Sequence, residues 1–149
     1  MCLSVLPNET PPIAGLNAAG LAALTITVNR DGSGNVTSAT INFLVSATFT
    51  GSVTVTGLHI HEGVATTTGS VVFNTGLSSG NSLTFASGSG LINLNATSVD
   101  ITDSNDCWAN PAGFYVNLHT SANPNGSDSR STYQTGRGAG QYHHPQLRQ

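Results

Sequence analysis

The chain has 149 residues, of which only 7% are charged, against about 25% in an average soluble protein. It has no lysine and a formal charge of −3, so it lacks the basic field that holds nucleic acid or an anionic membrane surface. No apolar run approaches the roughly 20 residues of a membrane-spanning helix, and the shortage of Glu and Lys disfavours helical bundles.

Apolar and polar residues alternate along most of the chain, which is typical of strands with one buried face. Two such runs, over 24–28 and 39–49, flank a Gly-rich turn at 31–34 and predict a β-hairpin. The next predicted strand covers 53–60, where the apolar phase slips at Gly57 and indicates a β-bulge. Shorter strands are predicted over 70–74, 82–86, 91–96 and 114–119. The pattern favours one all-β domain, an antiparallel Greek-key β-sandwich or barrel.

Three histidines take polar-face positions in two of these strands. Alternation places His59 and His61 on one face, about 6.6 Å apart along the strand. In the run 114–119, His119 shares a face with Asn117. Neutral imidazoles bind copper or zinc at about 2.0–2.1 Å, so the three would share an ion where the two strands are neighbours. Surface imidazoles without a metal are the alternative, and periodicity does not decide between them.

Other polar groups carry weaker signals. Glu62, which follows the His pair, and Asn117, on the histidine face, are candidate outer-shell residues that would orient an imidazole. A solvated loop carboxylate is the alternative for Glu62. His143 and His144 lie in a polar tail beside Pro145, where no role is predicted. No group of residues stands out as a nucleophile with its base, and we predict no catalytic residue.

Cysteine usage and composition bear on the compartment. Cys2 and Cys107 would form one disulfide outside a reducing cytosol or remain two free thiols, since spacing along the chain sets no distance between them. A surface rich in hydroxyls and amides, with sequons such as that at 35–37, is typical of secreted β-proteins. We therefore predict an extracellular or periplasmic protein. The apolar start ends at Pro7, too early for a signal-peptide core, so we expect that a secretion signal was removed or lost upstream.

Three groups of motifs follow one another along the chain. They are NETPPI at 8–13, GLHIHEG at 57–63, and FYVNLHT at 114–120 with NPNG at 123–126. Together they resemble the CHRD domain, a module first described in chordin and common in secreted bacterial proteins. The likeness covers about residues 3–126 and implies an extracellular all-β domain over 1–126.

The two histidine strands are also similar to the copper site of copper/zinc superoxide dismutase. By that likeness the copper ligands are His59, His61 and His119. The chain has no bridging histidine and no His-rich zinc loop, which departs from the dismutase. The resemblance therefore implies a secreted module with a binding or structural role toward an extracellular protein or surface ligand. A copper-dependent redox enzyme is the alternative.

An atypical tail, 127–149, follows the last motif. Members of the family usually continue into a final strand that contains Ile-Arg-Gly-Gln, whereas this chain has Ser-Asp-Ser-Arg-Ser-Thr at 127–132. One codon choice for that segment, AGC GAT TCG CGG TCA ACT, encodes Ala-Ile-Arg-Gly-Gln when it is translated one base later. We interpret 127–149 as a frameshifted, disordered tail that replaces the final strand and leaves a sheet edge open to self-association. Simple divergence with a ragged tail is the alternative.

Overall fold

The computed structural model describes residues 2–6, 18–63, 69–99, 113–124 and 127–129, with the backbone alone at 2–6, 97–99 and 127–129. The strands in these residues are β1 (Cys2–Leu6), β2 (Ala18–Arg30), β3 (Val36–Phe49), β4 (Val53–Glu62), β5 (Val71–Asn74), β6 (Leu83–Phe85), β7 (Ser89–Val99), β8 (Phe114–Thr120) and β9 (Ser127–Ser129). A 3-10 turn, Ser79–Asn81, separates β5 from β6.

The strands form two antiparallel sheets. The first has the order β1-β2-β3-β7, and the second has the order β5-β4-β8-β9, with β6 also paired to β4. Neighbours that are distant in sequence, β3 with β7 and β4 with β8, are typical of Greek-key connections. The described strands pack as a sandwich and are not closed into a barrel. This confirms the all-β fold class that the alternation predicted.

The long predicted hairpin is present as β2 and β3, which pair antiparallel over nearly their whole length. Asp31 closes its turn, because Oδ1 accepts hydrogen bonds from the backbone N–H groups of Ser33 at 2.9 Å and Asn35 at 2.8 Å. The Asn35 side chain and backbone also lower the pKa of the Asp31 carboxyl. Gly34 has a φ of 86°, a conformation that glycine adopts without strain.

Alternate side chains of both sheets fill the core. On β3 the buried positions are odd-numbered from Ala39 to Phe49, while Leu44, Ser46 and Thr48 are exposed. Full burial of a large apolar side chain contributes about 1.5–3 kcal/mol, so the inward face drives the packing of one sheet on the other. The largest fully buried side chains are Phe43, Phe73, Leu24, Ile41, Leu58, Ile60, Ile92, Leu118, Val45, Val55 and Thr120.

Strand β4 changes its inward phase at the predicted position. The pairing of β4 with β8 shifts register between Val55 and Gly57, which confirms the predicted irregularity in this strand. Beyond the shift, Leu58 and Ile60 belong to the core. Alternation then places the intervening His59 and the following His61 on the opposite face of the sheet.

A short strand, β9, pairs with β8 where the family's final strand was expected. Its three residues lie opposite Leu118, Asn117 and Val116 in antiparallel register. The first residues of the predicted tail therefore cover part of the β8 edge. The remainder, 130–149, lies outside the described residues, so the frameshift and the disorder of the tail stay predictions.

Candidate metal centre

Strands β4 and β8 are neighbours, which alternation could not establish. In their register His59 lies opposite Asn117, and His61 lies opposite Tyr115. Opposed residues of paired strands share a face, and His119 follows two residues after Asn117 on that face. The three imidazoles come together on the outside of the sandwich, where their ligand atoms lie within 4.8 Å of one another.

Gly57 makes room for His119 on this face. The two residues are register partners, and a Cβ on Gly57 would lie 3.0 Å from Cδ2 and 3.2 Å from Cγ of His119. Without that atom, the ring of His119 approaches His59, and its Nε2 lies 3.1 Å from Nδ1 of His59. The two rings meet nearly edge to face, with centroids 4.8 Å apart.

His61 is the most enclosed of the three ligand candidates, with 7% of its surface exposed. Its Nδ1 donates a hydrogen bond to the carbonyl oxygen of Gly69 at 2.9 Å, which leaves Nε2 as the acceptor nitrogen of a neutral ring. Nε2 is buried and has no hydrogen-bond partner among the described residues. A buried polar atom without a partner costs about 1–3 kcal/mol. A metal ion at this nitrogen would remove that cost.

His119 is held in the same tautomer as His61. Its Nδ1 donates to the carbonyl oxygen of Pro124 at 2.9 Å, so the lone pair of Nε2 faces His59. Backbone carbonyls that bond the second ring nitrogen are characteristic of metal-ligating histidines, because they fix the tautomer and the ring orientation. In the metal-free site the Nδ1–H of His59 then donates to Nε2 of His119. A cation bound there would require His59 to take the Nε2–H tautomer, which frees the lone pair of its Nδ1.

Burial and the neighbouring imidazoles keep His59 neutral. Desolvation, followed by repulsion from His119 and His61 in their charged forms, lowers the pKa of His59 to about 4. A hydrogen bond with the side chain of Asn74 raises the pKa by a smaller amount. The ring is therefore neutral at pH 7, and neutral imidazole is the form that binds metal.

The donor set fits a transition metal. Nitrogens that share an ion at 2.0–2.1 Å are at most about 4.2 Å apart, so the longest separation in the cluster must close by about 0.6 Å. Imidazole suits both zinc and copper, and the general affinity order places Cu²⁺ above Zn²⁺. His59 and His119 are only partly buried, so one side of the cluster reaches solvent.

The two predicted outer-shell residues differ in their placement. Asn117 is 4% exposed, lies opposite His59, and has an Oδ1 atom without a hydrogen-bond partner among the described residues. Glu62 ends β4 with an exposed side chain. Within the described part of the chain, no hydrogen bond joins its carboxylate to the three imidazoles. Both roles stay predictions, and Asn117 is the better placed of the two.

Three other contacts of the cluster were not predicted from the sequence. Gly69 and Pro124 accept hydrogen bonds through their backbone carbonyls. Every residue carries such a carbonyl, so the residue types at these positions could not predict the contacts. Tyr115 stacks on His61 with ring centroids 5.0 Å apart. Its position on the histidine face followed from alternation in 114–119, and that was the available signal.

Two further sequence expectations concern the rest of the chain. Cys107 lies outside the described residues, and Cys2 is described in its backbone alone, so the disulfide stays a prediction. Within the described residues, none of the structure is a helix long and apolar enough to span a membrane.

Comparison with known families decides the classification. The model of the CHRD domain matches residues 5–127, which include both histidine strands. This chain belongs to the CHRD domain family. The match confirms the family that the motifs indicated. Searches of curated proteins and of solved structures find no match, and the likeness of this CHRD domain to the dismutase copper site stays a prediction.

Proposed function

We propose that this CHRD domain is a secreted module, extracellular or periplasmic, that binds copper through His59, His61 and His119. The supporting observation is the convergence of three imidazole ligand atoms within 4.8 Å. Two rings are oriented by backbone carbonyls, and the enclosed Nε2 of His61 has no hydrogen-bond partner among the described residues. A neutral, oriented nitrogen cluster is what a copper ion requires.

The module's wider role is binding rather than catalysis, and its partner would be an extracellular protein or surface ligand. The outward positions of the first sheet support this, because they carry amides, hydroxyls and scattered leucines. Asn42 Nδ2 donates to the Oδ1 atoms of Asn93 at 2.7 Å and Asn95 at 2.9 Å. Leu44 and Leu91 are 40% and 64% exposed. A face of this kind favours short-range contacts over electrostatic steering.

Copper titration of the chelator-treated protein tests the metal proposal. We expect one Cu²⁺ per chain, with nitrogen hyperfine coupling in the electron paramagnetic resonance spectrum. His119→Ala should weaken binding by more than the 10- to 100-fold that is typical of an outer-shell change, because it removes a ligand. His119 is the suitable ligand to replace, since its ring is only partly buried and the variant should fold.

A matched control separates the cluster from the histidines of the tail. The double variant His143→Ala/His144→Ala retains the proposed ligands and should bind copper like the parent chain. Copper binding that is lost in the tail variant but kept in His119→Ala would refute the site. Circular dichroism of each variant establishes that the β-structure is retained.

The partial exposure of His59 and His119 favours a second candidate function, a copper-dependent redox enzyme. A site open to solvent on one side admits a small oxidant such as superoxide to the metal. The test compares superoxide consumption by the copper-loaded chain and by a copper-treated His61→Ala variant. Equal rates would reject this function without affecting the metal-binding proposal.

A further inference from the structure

Tyr115 contacts the metal centre without being a ligand candidate. Its ring stacks on the imidazole of His61, with planes 12° from parallel. Its hydroxyl oxygen accepts a hydrogen bond from the backbone N–H of Gly69 at 3.1 Å. The carbonyl oxygen of Gly69 in turn accepts the hydrogen bond from Nδ1 of His61 at 2.9 Å. A closed set of contacts therefore joins Tyr115, Gly69 and His61.

Gly69 is packed closely against the backbone at the end of β4. It lies so close to the backbone carbonyl of Glu62 that an added Cβ would overlap that group. The next residue, Ser70, accepts a hydrogen bond from the N–H of Glu62 at 3.0 Å, which holds the segment against the end of β4. Gly69 is therefore bonded on both sides, through its N–H to Tyr115 and through its carbonyl oxygen to His61.

We infer that Tyr115 is a positioning residue of the metal centre. Through Gly69 it fixes the ring of His61 as the Nδ1–H tautomer and directs the Nε2 lone pair toward the shared metal position. The inference rests on the proposed function for the metal, but the effect on the His61 tautomer exists without metal. Stacking and burial need only an aromatic ring, so the hydroxyl is the group that distinguishes positioning from packing.

The variant Tyr115→Phe removes this hydroxyl and keeps the ring, and Tyr133→Phe makes the same change in the predicted tail. Nitrogen NMR of the full chain, treated with chelator, should show His61 as the Nδ1–H tautomer in the parent and in Tyr133→Phe. Tyr115→Phe should show a mixture with the Nε2–H form. Its dissociation constant for Cu²⁺ should rise about tenfold, the lower end of the effect of outer-shell changes.

Thermal unfolding of the same samples shows whether the hydroxyl of Tyr115 only stabilises the fold. Lower stability of Tyr115→Phe with an unchanged His61 tautomer and an unchanged copper affinity would overturn the inference. If the parent chain binds no copper, the proposed function fails, and the tautomer still decides the role of Tyr115. A shifted tautomer would then support positioning of His61, and an unshifted one would refute it.

Discussion

A position without a side chain controls how closely two of the imidazoles approach. Gly57 lies opposite His119, and the ring of His119 lies 3.0 Å from the point where a Cβ would stand. Such a distance is shorter than an ordinary carbon–carbon contact of about 3.5–4.0 Å. The approach of His119 to His59 therefore depends on the missing atom as much as on the imidazoles themselves.

Replacing Gly57 by Ala should displace the ring of His119 and weaken copper binding by about 10-fold, as an outer-shell change does. Stability should change by less than about 1 kcal/mol, because alanine also restricts the unfolded chain. Gly32→Ala is the matched control, since a Cβ there meets no atom within 4 Å. Calorimetric copper titration measures the affinities. In a His119→Ala background, Gly57→Ala should not lower the copper affinity further. A further tenfold loss of affinity in that background would contradict this explanation.

The alternation of apolar and polar residues predicted which face of its strand each histidine takes, and the structure agrees for His59 and His61. The slip at Gly57 was also visible, because the apolar phase changes from odd to even positions there. The hydrogen bonds that His61 and His119 donate to the carbonyl oxygens of Gly69 and Pro124 were not predictable. Those contacts use backbone oxygens, which every residue type carries, and they depend on the tertiary placement of Gly69 and Pro124 beside the histidines.

At the scale of strands, the alternation of β3 was the most informative pattern. Residues from 39 to 49 predicted a strand with a buried face and a polar face, and the observed burial follows that pattern with Leu44 on the exposed side. The Ala-rich start of β2 gave no comparable signal, because Ala18–Ala23 is apolar on both faces. Its strand conformation depends on pairing with β1 and β3.

The adjacent residues Phe43 and Leu44 test the assignment of the two faces. Phe43 is fully buried and Leu44 is 40% exposed, so Phe43→Ala should destabilise the domain by about 3–5 kcal/mol. Leu44→Ala should change stability by about 0.5 kcal/mol or less. Urea unfolding monitored by circular dichroism gives both values. If Phe43→Ala does not fold, Phe43→Leu takes its place and should still destabilise the domain more than Leu44→Ala does. Equal losses of stability would show that the two faces of β3 are wrongly assigned.

At the scale of the whole molecule, the site forms from residues that lie far apart in sequence. His59 and His119 are separated by 60 positions, and β7, which belongs to the other sheet, lies between their strands along the chain. Alternation constrains each strand separately and carries no information on which strands pair. The three ligand candidates could therefore be chosen from sequence, whereas their convergence required the β4–β8 register.

The last described strand connects this register to the tail. β9 pairs with Val116–Leu118 of β8, next to the residues that carry the cluster. A chain that ends at residue 126 would lose this pairing and expose backbone N–H and C=O groups along the edge of β8. We expect a loss of about 1–3 kcal/mol and self-association that increases with concentration. Urea unfolding and sedimentation velocity measure the two effects.

A chain that ends at residue 129 separates the contribution of β9 from that of the remaining tail. It retains the pairing with β8, so it should unfold like the full chain and sediment as the full chain does at each concentration. Agreement between the 126- and 129-residue chains would mean that β9 contributes nothing. If the 129-residue chain instead matches the full chain, residues 130–149 are dispensable, as a frameshifted tail predicts. The coding DNA then decides the origin of the tail, because a one-base shift must restore Ala-Ile-Arg-Gly-Gln from residue 127 onward.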